Sequence, residues 1–172
     1  GALITLVAAS MAGAGCREVS SWEAISGRGL KGSGKPVSRT FEIKDVKALK
    51  AGGSFVITVT PDSAPLIVTC DDNLMPHLVQ KVDAGVLSLG FDRSISSNLK
   101  LTASVGVKSL ESLDLSGACS LQAEGVDIES LTADISGAAM AQISGKVSKA
   151  AVKLTGSSSF VLNADPEEIT FD

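Results

Sequence analysis

Three versions of one repeat dominate the last third of this chain: DLSGACSL (Asp114–Leu121), DISGAAMA (Asp134–Ala141) and KLTGSSSF (Lys153–Phe160). Equivalent positions are 20 residues apart in the first two segments and 19 residues apart in the last two. A short repeat of nearly constant length is typical of a solenoid, in which each repeat forms one coil and buries its apolar side against its neighbours. The repeat therefore predicts the architecture of the chain more directly than it predicts an activity.

Apolar and polar residues alternate in each repeat, as they do in a strand with one buried face. In the first repeat Leu113 and Leu115 enclose Asp114, and the later repeats keep this pattern. A glycine follows each strand where the coil turns a corner, because a residue without Cβ fits there. Stacked coils bring equivalent strands side by side in parallel. The sequence therefore predicts an all-β fold, a single-stranded right-handed parallel β-helix (a β solenoid) with coils of about 20 residues.

Two other readings of the pattern fit less well. An α-helical repeat fails because the apolar residues do not recur at intervals of three and four. A leucine-rich repeat has a similar period, but its asparagine ladder and its Leu-x-x-Leu-x-Leu pattern do not occur in this sequence. Upstream of the repeats, β-branched runs predict further strands, and residues 74–81 are expected to form one or two turns of helix.

The N-terminal segment has the composition of an export signal. Residues 2–15 carry no charge, are too few to cross a bilayer as a helix, and lead directly to Cys16. Ala14 and Gly15, two small residues before a cysteine, resemble a bacterial lipoprotein signal, which is cut before the cysteine whose thiol is lipidated. Gly13 departs from that pattern and the basic opening region is missing, so a truncated start is expected. The alternatives for this segment are a buried apolar strand and a disordered leader.

The sequence thus predicts three regions. Residues 1–15 are a signal peptide remnant, residues 16–35 hold the lipid-anchor cysteine and a linker, and residues 36–172 form the parallel β-helix domain. Cys16 is the one predicted site residue, as the point of lipidation, and no catalytic, cofactor-binding or metal-binding residue is predicted. The expected location is the outer membrane or the cell surface, with a periplasm-facing lipoprotein as the alternative.

A set of short motifs resembles a known family. In chain order they are GSG (Gly32–Gly34), RTFEI (Arg39–Ile43), VKALKAGGSFVITV (Val46–Val59), DDNL (Asp71–Leu74), GVLSL (Gly85–Leu89) and two SGA segments (Ser116–Ala118 and Ser136–Ala138). In this order and spacing they resemble the putative autotransporter adhesin, head GIN domain family, over residues 32–165. The resemblance implies a right-handed parallel β-helix on secreted lipoproteins of Bacteroidetes-like bacteria. The family offers no active site to transfer to this chain.

Two features depart from the family pattern. The third repeat reads TGS (Thr155–Ser157) where the first two read SGA. The chain also stops at Asp172, which aligns with Asp134, where another coil would continue. The last strand is therefore expected to be either a cap or the start of a coil whose remainder is absent.

Few residues carry catalytic or metal-binding chemistry. His77 is the only histidine, so neither a multi-histidine metal site nor a Ser-His-Asp triad with a spare base can form, and we expect it to be a solvent-facing residue of a short helix. Asp71, Asp72 and Asn73 offer oxygen ligands for Ca²⁺, but they lack the spacing of a calcium loop and are explained more simply as a turn.

Serine and cysteine residues add no predicted site. Ser116 and Ser136 belong to the glycine corners and match no nucleophile elbow. Cys70 and Cys119 both fall in predicted strands, and a disulfide between them is compatible with export. The sequence does not establish whether their Cα atoms come within reach, and a small buried thiol is the simpler expectation for Cys119.

The charge balance argues against nucleic acid as a partner. The 15 basic and 19 acidic residues give a net charge of −4, and no basic stripe is present to neutralise phosphates. Solubility is the simplest explanation of this modest negative charge.

Three functions are open on the sequence. The first is a non-catalytic cell-envelope lipoprotein, an adhesin whose β-helix binds a surface glycan or protein and whose lipid anchors it to the membrane. The second is a structural module that forms homo-oligomers through an exposed coil end. The third, a polysaccharide-active β-helix enzyme, needs clustered carboxylates with Arg or Lys, whereas the equivalent positions hold the sparse ladder Asp114, Asp134 and Lys153. The first function, which is not enzymatic, explains most of the chain.

Overall fold

The computed structural model describes residues 3–7, by their backbone alone, and residues 29–172. In chain order the strands are β1 (Leu3–Val7), β2 (Leu30–Lys31), β3 (Pro36–Phe41), β4 (Ala48–Gly53), β5 (Phe55–Thr60), β6 (Leu66–Asp71), β7 (Leu78–Asp83), β8 (Val86–Phe91), β9 (Ile95–Ser96), β10 (Leu101–Gly106), β11 (Ser112–Gly117), β12 (Ser120–Ile135), β13 (Met140–Leu154), β14 (Ser159–Asn163) and β15 (Glu168–Phe171). A 3₁₀ helix, Met75–His77, lies between β6 and β7. No helix in the described ranges is long and apolar enough to cross a membrane.

Thirteen of these strands form one sheet with two arms, and β2 and β9 form a separate parallel pair. The order β3-β6-β10-β5-β12-β13-β14 is called here the front arm, and the order β7-β8-β4-β11-β12-β13-β15 the back arm. The thirteenth strand, β1, pairs with β14 at the edge of the front arm. The long strands β12 and β13 belong to both arms. Their first residues pair in the front arm and their last residues in the back arm, with a register shift between Glu124 and Val126 where they bend.

The predicted single-stranded parallel β-helix is wrong. The sheet is a curled half-barrel in which parallel and antiparallel strands are mixed. Four pairs are antiparallel: β3 with β6, β6 with β10, β7 with β8, and β1 with β14. The prediction extended the repeat spacing of residues 113–160 to the whole domain, but the upstream strands have no constant spacing. Chain reversals between them therefore replace the coils of a solenoid.

The hairpin β7–β8 shows how one such reversal arises. Ala84 and Gly85, between the two strands, have φ angles of 49° and 80°. Positive φ at both central residues is the signature of the two-residue turn that matches strand twist in a hairpin. The helix predicted over residues 74–81 is confined to Met75–His77, and from Leu78 onwards the chain is extended.

The repeats themselves pair in parallel with the register that their spacing indicates. Leu115 lies beside Ile135, and Ile135 lies beside Leu154. Leu115 and Ile135 are fully buried, and Leu154 is half-buried against the same core. The repeat therefore places equivalent residues side by side, although the fold as a whole is not a solenoid.

Glycines stack at the corner between the two arms. Gly117, Gly137 and Gly156 all have φ between +79° and +86°. A Cβ on Gly137 would lie 2.6 Å from the carbonyl oxygen of Gly117, and the same approach recurs one repeat later, at Gly156. The amide of Ala138 donates a hydrogen bond of 2.8 Å to that carbonyl. The corner thus needs glycine both for its backbone angle and for its close contact.

One core joins the inward faces of both arms. Along β5 the pattern alternates strictly, with Phe55, Ile57 and Val59 buried and the residues between them more exposed. Phe55 stacks on Phe91, with ring centroids 5.3 Å apart. Since the buried side chains of residues 29–172 are apolar apart from Asp71 and Ser158, most of the chemistry available to a ligand lies on the outward positions.

Candidate functional site

Asp71, the first of the three candidate Ca²⁺ ligands that the sequence explains more simply as a turn, is fully buried at the end of β6. Its carboxylate accepts a hydrogen bond of 2.6 Å from the amide of Gly34 and a second, short one from the hydroxyl of Ser97. Gly32 passes so close that a Cβ there would lie 2.5 Å from the carboxylate. The buried charge therefore fixes the segment that leads into β3.

The other two residues of this candidate hold the same segment. Asp72 accepts a hydrogen bond from the hydroxyl of Ser33, and this bond is the main cause of the lowered pKa of Asp72. Asn73 accepts from the amide of Ser33 at 2.9 Å and donates to the carbonyl of Lys31 at 2.8 Å. All three side chains are thus occupied with protein partners. No group of three or more His, Cys, Asp or Glu side chains in the described ranges is arranged to hold a metal ion.

His77 closes the 3₁₀ helix and lies beside a small charged cluster. Its Nδ1 is 3.2 Å from a carboxylate oxygen of Asp92, which also accepts a hydrogen bond of 3.1 Å from Arg93. The hydrogen bond from Arg93 is the largest cause of the lowered pKa of Asp92, and the contact with His77 adds to it. The side chain of His77 is one quarter exposed and belongs to an ion cluster at the start of β7.

The corner serines bond to the backbone of the neighbouring repeat. The hydroxyl of Ser136 donates to the carbonyl of Leu115 at 3.3 Å, and that of Ser116 donates to the carbonyl of Ala51 at 3.4 Å. Ser158, two residues after the corner glycine Gly156, is buried, and its hydroxyl donates to the carbonyl of Ile135 at 3.2 Å. These hydroxyls therefore stabilise the stacking of the corners.

Cys70 and Cys119 are both free and buried. The thiol of Cys70 lies 4.0 Å from the sulfur of Met75, and that of Cys119 faces the carbonyls of Ser116 and Gly53. Burial raises the pKa of each thiol, so both favour the neutral form. Cys16, the predicted lipidation site, lies outside the described residues.

A cleft of about 470 Å³ lies where the loops after β3, β5 and β10 meet. Three lysines and three carboxylates are among its lining residues: Lys44, Lys47, Lys108, Glu42, Asp45 and Asp62. Asp62 is held by the hydroxyl of Thr60 at 2.7 Å, and Lys47 pairs with Glu111 at 3.1 Å. Because the three lysines balance the three carboxylates, the cleft has no net charge that would favour an anionic over a cationic ligand.

The outward face of the back arm is charged. Its central row, called here the charged row, crosses the strands in register and consists of Lys81, Ser88, Lys50, Asp114, Asp134 and Lys153. Lys50 and Asp114 form an ion pair of 2.7 Å, whose hydrogen bond raises the pKa of Lys50. The ladder that the sequence predicted thus exists, as a row of both signs on an open surface.

The outward face of the front arm has a different character. Two adjacent rows of seven residues cross all seven strands, and together they are called here the neutral face. One row is Thr40, Ile67, Ser104, Thr58, Gln122, Gln142 and Val161. The other row is Ser38, Thr69, Thr102, Val56, Ser120, Met140 and Ser159. Neither row contains a charged residue.

The neutral face is broad and accessible. Seven strands about 4.8 Å apart give it a width of about 29 Å. Its apolar members stand in solvent, with Val56 39%, Ile67 40% and Met140 50% exposed. The hydroxyls of Ser38 and Thr69 lie 2.7 Å apart, which shows that β3 contributes to the same surface as β6.

Sequence reasoning missed the neutral face because it joins residues far apart in the chain. The signal was present as Ser, Thr and Gln at alternate positions of the predicted strands, as in FVITVT (Phe55–Thr60). Only the strand order of the folded sheet brings these positions together, since β6 and β10 enter the front arm antiparallel to each other.

Several solved structures share this fold, including two from the genera Parabacteroides and Bacteroides. One is a putative lipid binding protein from Parabacteroides distasonis, with a TM-score of 0.68 and 21% identity, covering 83% of this chain. This chain spans 62% of the length of that protein. The other is a putative adhesin from Bacteroides fragilis, with a TM-score of 0.51 and 14% identity over 84% of this chain and 100% of that chain. No curated protein matches this chain.

The family resemblance seen in the sequence is confirmed. The family model described as putative auto-transporter adhesin, head GIN domain, matches residues 45–172, which is most of the chain and contains most strands of both arms. The chain therefore belongs to the putative auto-transporter adhesin, head GIN domain family.

Proposed function

We propose that this protein is a non-catalytic cell-envelope lipoprotein whose β domain binds a ligand at a surface. The observation that carries the proposal is membership of an adhesin family over residues 45–172. The broad outward faces of both arms support it, because an open sheet offers many weak contacts to an extended partner.

The arrangement of titratable groups favours binding over catalysis. A hydrolase or lyase needs an acid and a base positioned together in a cleft. In residues 29–172, Asp114 and Asp134 stand side by side on an open face, with Asp114 held by Lys50. His77 contacts Asp92 at the start of β7. Neither of these two arrangements lies in a cleft. The cleft after β3, β5 and β10 does hold lysines and carboxylates, but there Asp62 accepts a hydrogen bond from Thr60 and Lys47 pairs with Glu111.

A lipid ligand has less support than a polar one. The similar Parabacteroides protein is called a putative lipid binding protein. In this chain, however, six of the twelve residues that line the cleft of about 470 Å³ are lysines or carboxylates, which suit a polar group better than an acyl chain.

The anchor in this proposal is Cys16. The uncharged segment before it and the small residues Ala14 and Gly15 support processing by the lipoprotein pathway. Lipidation there would place the β domain in the envelope, tethered through residues 17–35. The proposed location is the outer membrane or the cell surface.

Mass spectrometry of the protein extracted from the membranes of its native cells tests the anchor. We expect the mature N-terminal peptide to begin at Cys16 and to carry lipid. An unmodified peptide that spans Gly15 and Cys16 in the same fraction would contradict lipidation at Cys16.

Incubation of the full chain with polysaccharides and peptides tests the absence of catalysis. Turnover that a single Asp→Asn substitution abolishes would show that the protein is an enzyme.

A further inference from the structure

We propose that the neutral face binds an uncharged polysaccharide that lies flat on the front arm. This inference rests on the proposed binding function and names the surface and the chemical class of the ligand. It concerns the two rows of residues from Thr40 to Val161 and from Ser38 to Ser159, defined above.

The charge distribution decides which class of glycan fits. The charged row of the back arm holds Lys81, Lys50 and Lys153 together with two aspartates, whereas neither row of the neutral face holds any charge. A polymer with phosphate, sulfate or carboxylate groups gains no Coulombic attraction from such a surface. A neutral polymer on the two rows does not require a charged side chain of those rows to give up its water. The carboxylate of Glu124 lies beside the rows on β12, where it accepts a hydrogen bond of 2.6 Å from the amide of Gln122.

The polar groups of the neutral face match those of a sugar. Eight of the fourteen residues are Ser or Thr and two are Gln. A hydroxyl both donates and accepts a hydrogen bond, and an amide offers both functions on separate atoms. Sugar hydroxyls have the same dual capacity, so each contact can form in either direction. Bridging waters can complete contacts that the side chains do not reach.

Four apolar residues lie among these polar groups. Val56 and Met140 occupy the same row on either side of Ser120, and Ile67 and Val161 occupy the other row. Val56, Ile67 and Met140 are exposed and Val161 is half-buried. Their methyl and thioether groups can pack against the C–H faces of sugar rings, which removes apolar surface of both partners from water. Alternation of hydroxyl and apolar groups thus suits a ligand that is itself amphipathic.

Other partner classes fit the neutral face less well. Protein interfaces are enriched in aromatic residues and arginine. Membrane surfaces select lysine, arginine and tryptophan. The two rows contain none of these residue types, although residues 36–42 next to them include Arg39 and Phe41.

Affinity electrophoresis of the full chain tests this inference with soluble xylan, galactomannan and mixed-linkage β-glucan as neutral probes and polygalacturonate as the anionic probe. The front variant is Gln122→Glu with Gln142→Glu, which puts two adjacent carboxylates on β12 and β13. The matched control is Thr132→Glu with Ala151→Glu, an adjacent exposed pair on the same two strands in the back arm. Equal melting temperatures of the two variants establish that both are folded.

We expect at least one neutral polysaccharide to retard the unaltered protein, and the front variant to weaken that retardation about tenfold or more while the control leaves it unchanged. Retardation by polygalacturonate alone, by none of the probes, or to the same extent in both variants would overturn the inference. If the control variant alone loses retardation, binding takes place on the back arm; the inference then fails and the proposed binding function stands. If the polysaccharides are instead cleaved, the proposed function fails as well.

Discussion

The front and back arms are built from the same two long strands yet present opposite chemistry to solvent. Along β12, the inward residues Leu121 and Ala123 of the front arm and Leu131 and Ala133 of the back arm are equally buried. The two rows of the neutral face are hydroxyl, amide and aliphatic, with the carboxylate of Glu124 beside them on β12, whereas the back arm carries a row of lysines and aspartates. Folding therefore fixes the inward positions of both arms and leaves the outward positions free to serve a ligand.

The charged row gives the back arm a strongly hydrated surface. Side chains of both signs on the back arm keep that surface hydrated, and the ion pairs on it are exposed. A sheet that was neutral on both sides would present two broad faces to other copies. The difference between the arms thus separates a charged surface from the proposed binding surface.

The largest expected loss of stability comes from a charge placed in the core that the two arms share. Ile135→Asp places a charge in the core where the back arm meets the corner, at a side chain that is fully buried. We expect a loss of more than about 4 kcal/mol in the free energy of unfolding, measured by urea titration. Thr132→Asp, at an exposed position three residues earlier, is the control and should change stability little. Similar losses in both variants would mean that the back arm is not packed as described.

The next largest effect concerns the corner that joins the arms. Gly137→Ala adds a Cβ only 2.6 Å from the carbonyl oxygen of Gly117 at a residue with φ of +83°. Gly34→Ala has nearly the same φ, +80°, but its Cβ meets nothing within 4 Å. We expect thermal or urea unfolding to show about 1 kcal/mol of destabilisation for Gly34→Ala and at least about 2 kcal/mol more for Gly137→Ala. If both variants lose the same free energy of unfolding, the positive φ angle alone explains the loss, and the close contact between the stacked glycines contributes nothing.

A smaller effect concerns the first strand of the front arm. Asp71→Ala removes the carboxylate that binds the amide of Gly34 and the hydroxyl of Ser97, so we expect a loss of about 2 kcal/mol in unfolding free energy. Asp71→Asn keeps one acceptor oxygen and should retain most of that stability. Faster hydrogen exchange at residues 33–41 in Asp71→Ala is the accompanying readout. If stability and exchange are unchanged, the segment before β3 is held by other contacts.

The smallest effect is expected on the charged row. Asp114→Asn removes the partner of Lys50, an ion pair whose side chains are 63% and 42% exposed. The pair raises the pKa of Lys50, so its contribution is present at neutral pH and is lost as the pH rises through the raised pKa. Because exposed pairs contribute little, we expect no measurable change in melting temperature at pH 7. A clear drop would give the charged row a structural role.

Local repetition explains which parts of the fold could be predicted. The spacing between Ser116, Ser136 and Thr155 predicts the parallel register of the repeats. When repeats of nearly equal length stack, each residue lies beside the equivalent residue of the next repeat. The antiparallel strands could not be derived from that spacing, since each reversal depends on its own turn. Only the turn at Ala84–Gly85 had a recognisable local signal.

The candidate site was less predictable than the fold. The ladder Asp114, Asp134 and Lys153 follows directly from the repeat, and the structure contains it. The neutral face does not, because Ile67 and Thr58 enter it through strands that are not repeats. Asp71, Asp72 and Asn73 begin the predicted turn, in which the amide of Leu74 donates to the carbonyl of Asp71. The side-chain partners of the three residues could not be predicted, because most of them lie in residues 31–34, about forty residues away in sequence.

The most direct test of the central claim maps a bound polysaccharide onto the two arms by NMR. Neutral polysaccharide that retards the protein in electrophoresis is titrated into the ¹⁵N-labelled full chain, and amide shifts are followed. We predict that the shifts concentrate on the front arm, around Thr58, Gln122 and Gln142, and that the amides of Asp114 and Asp134 do not move. Shifts confined to the charged row of the back arm, or spread equally over both arms, would contradict the assignment of binding to the neutral face.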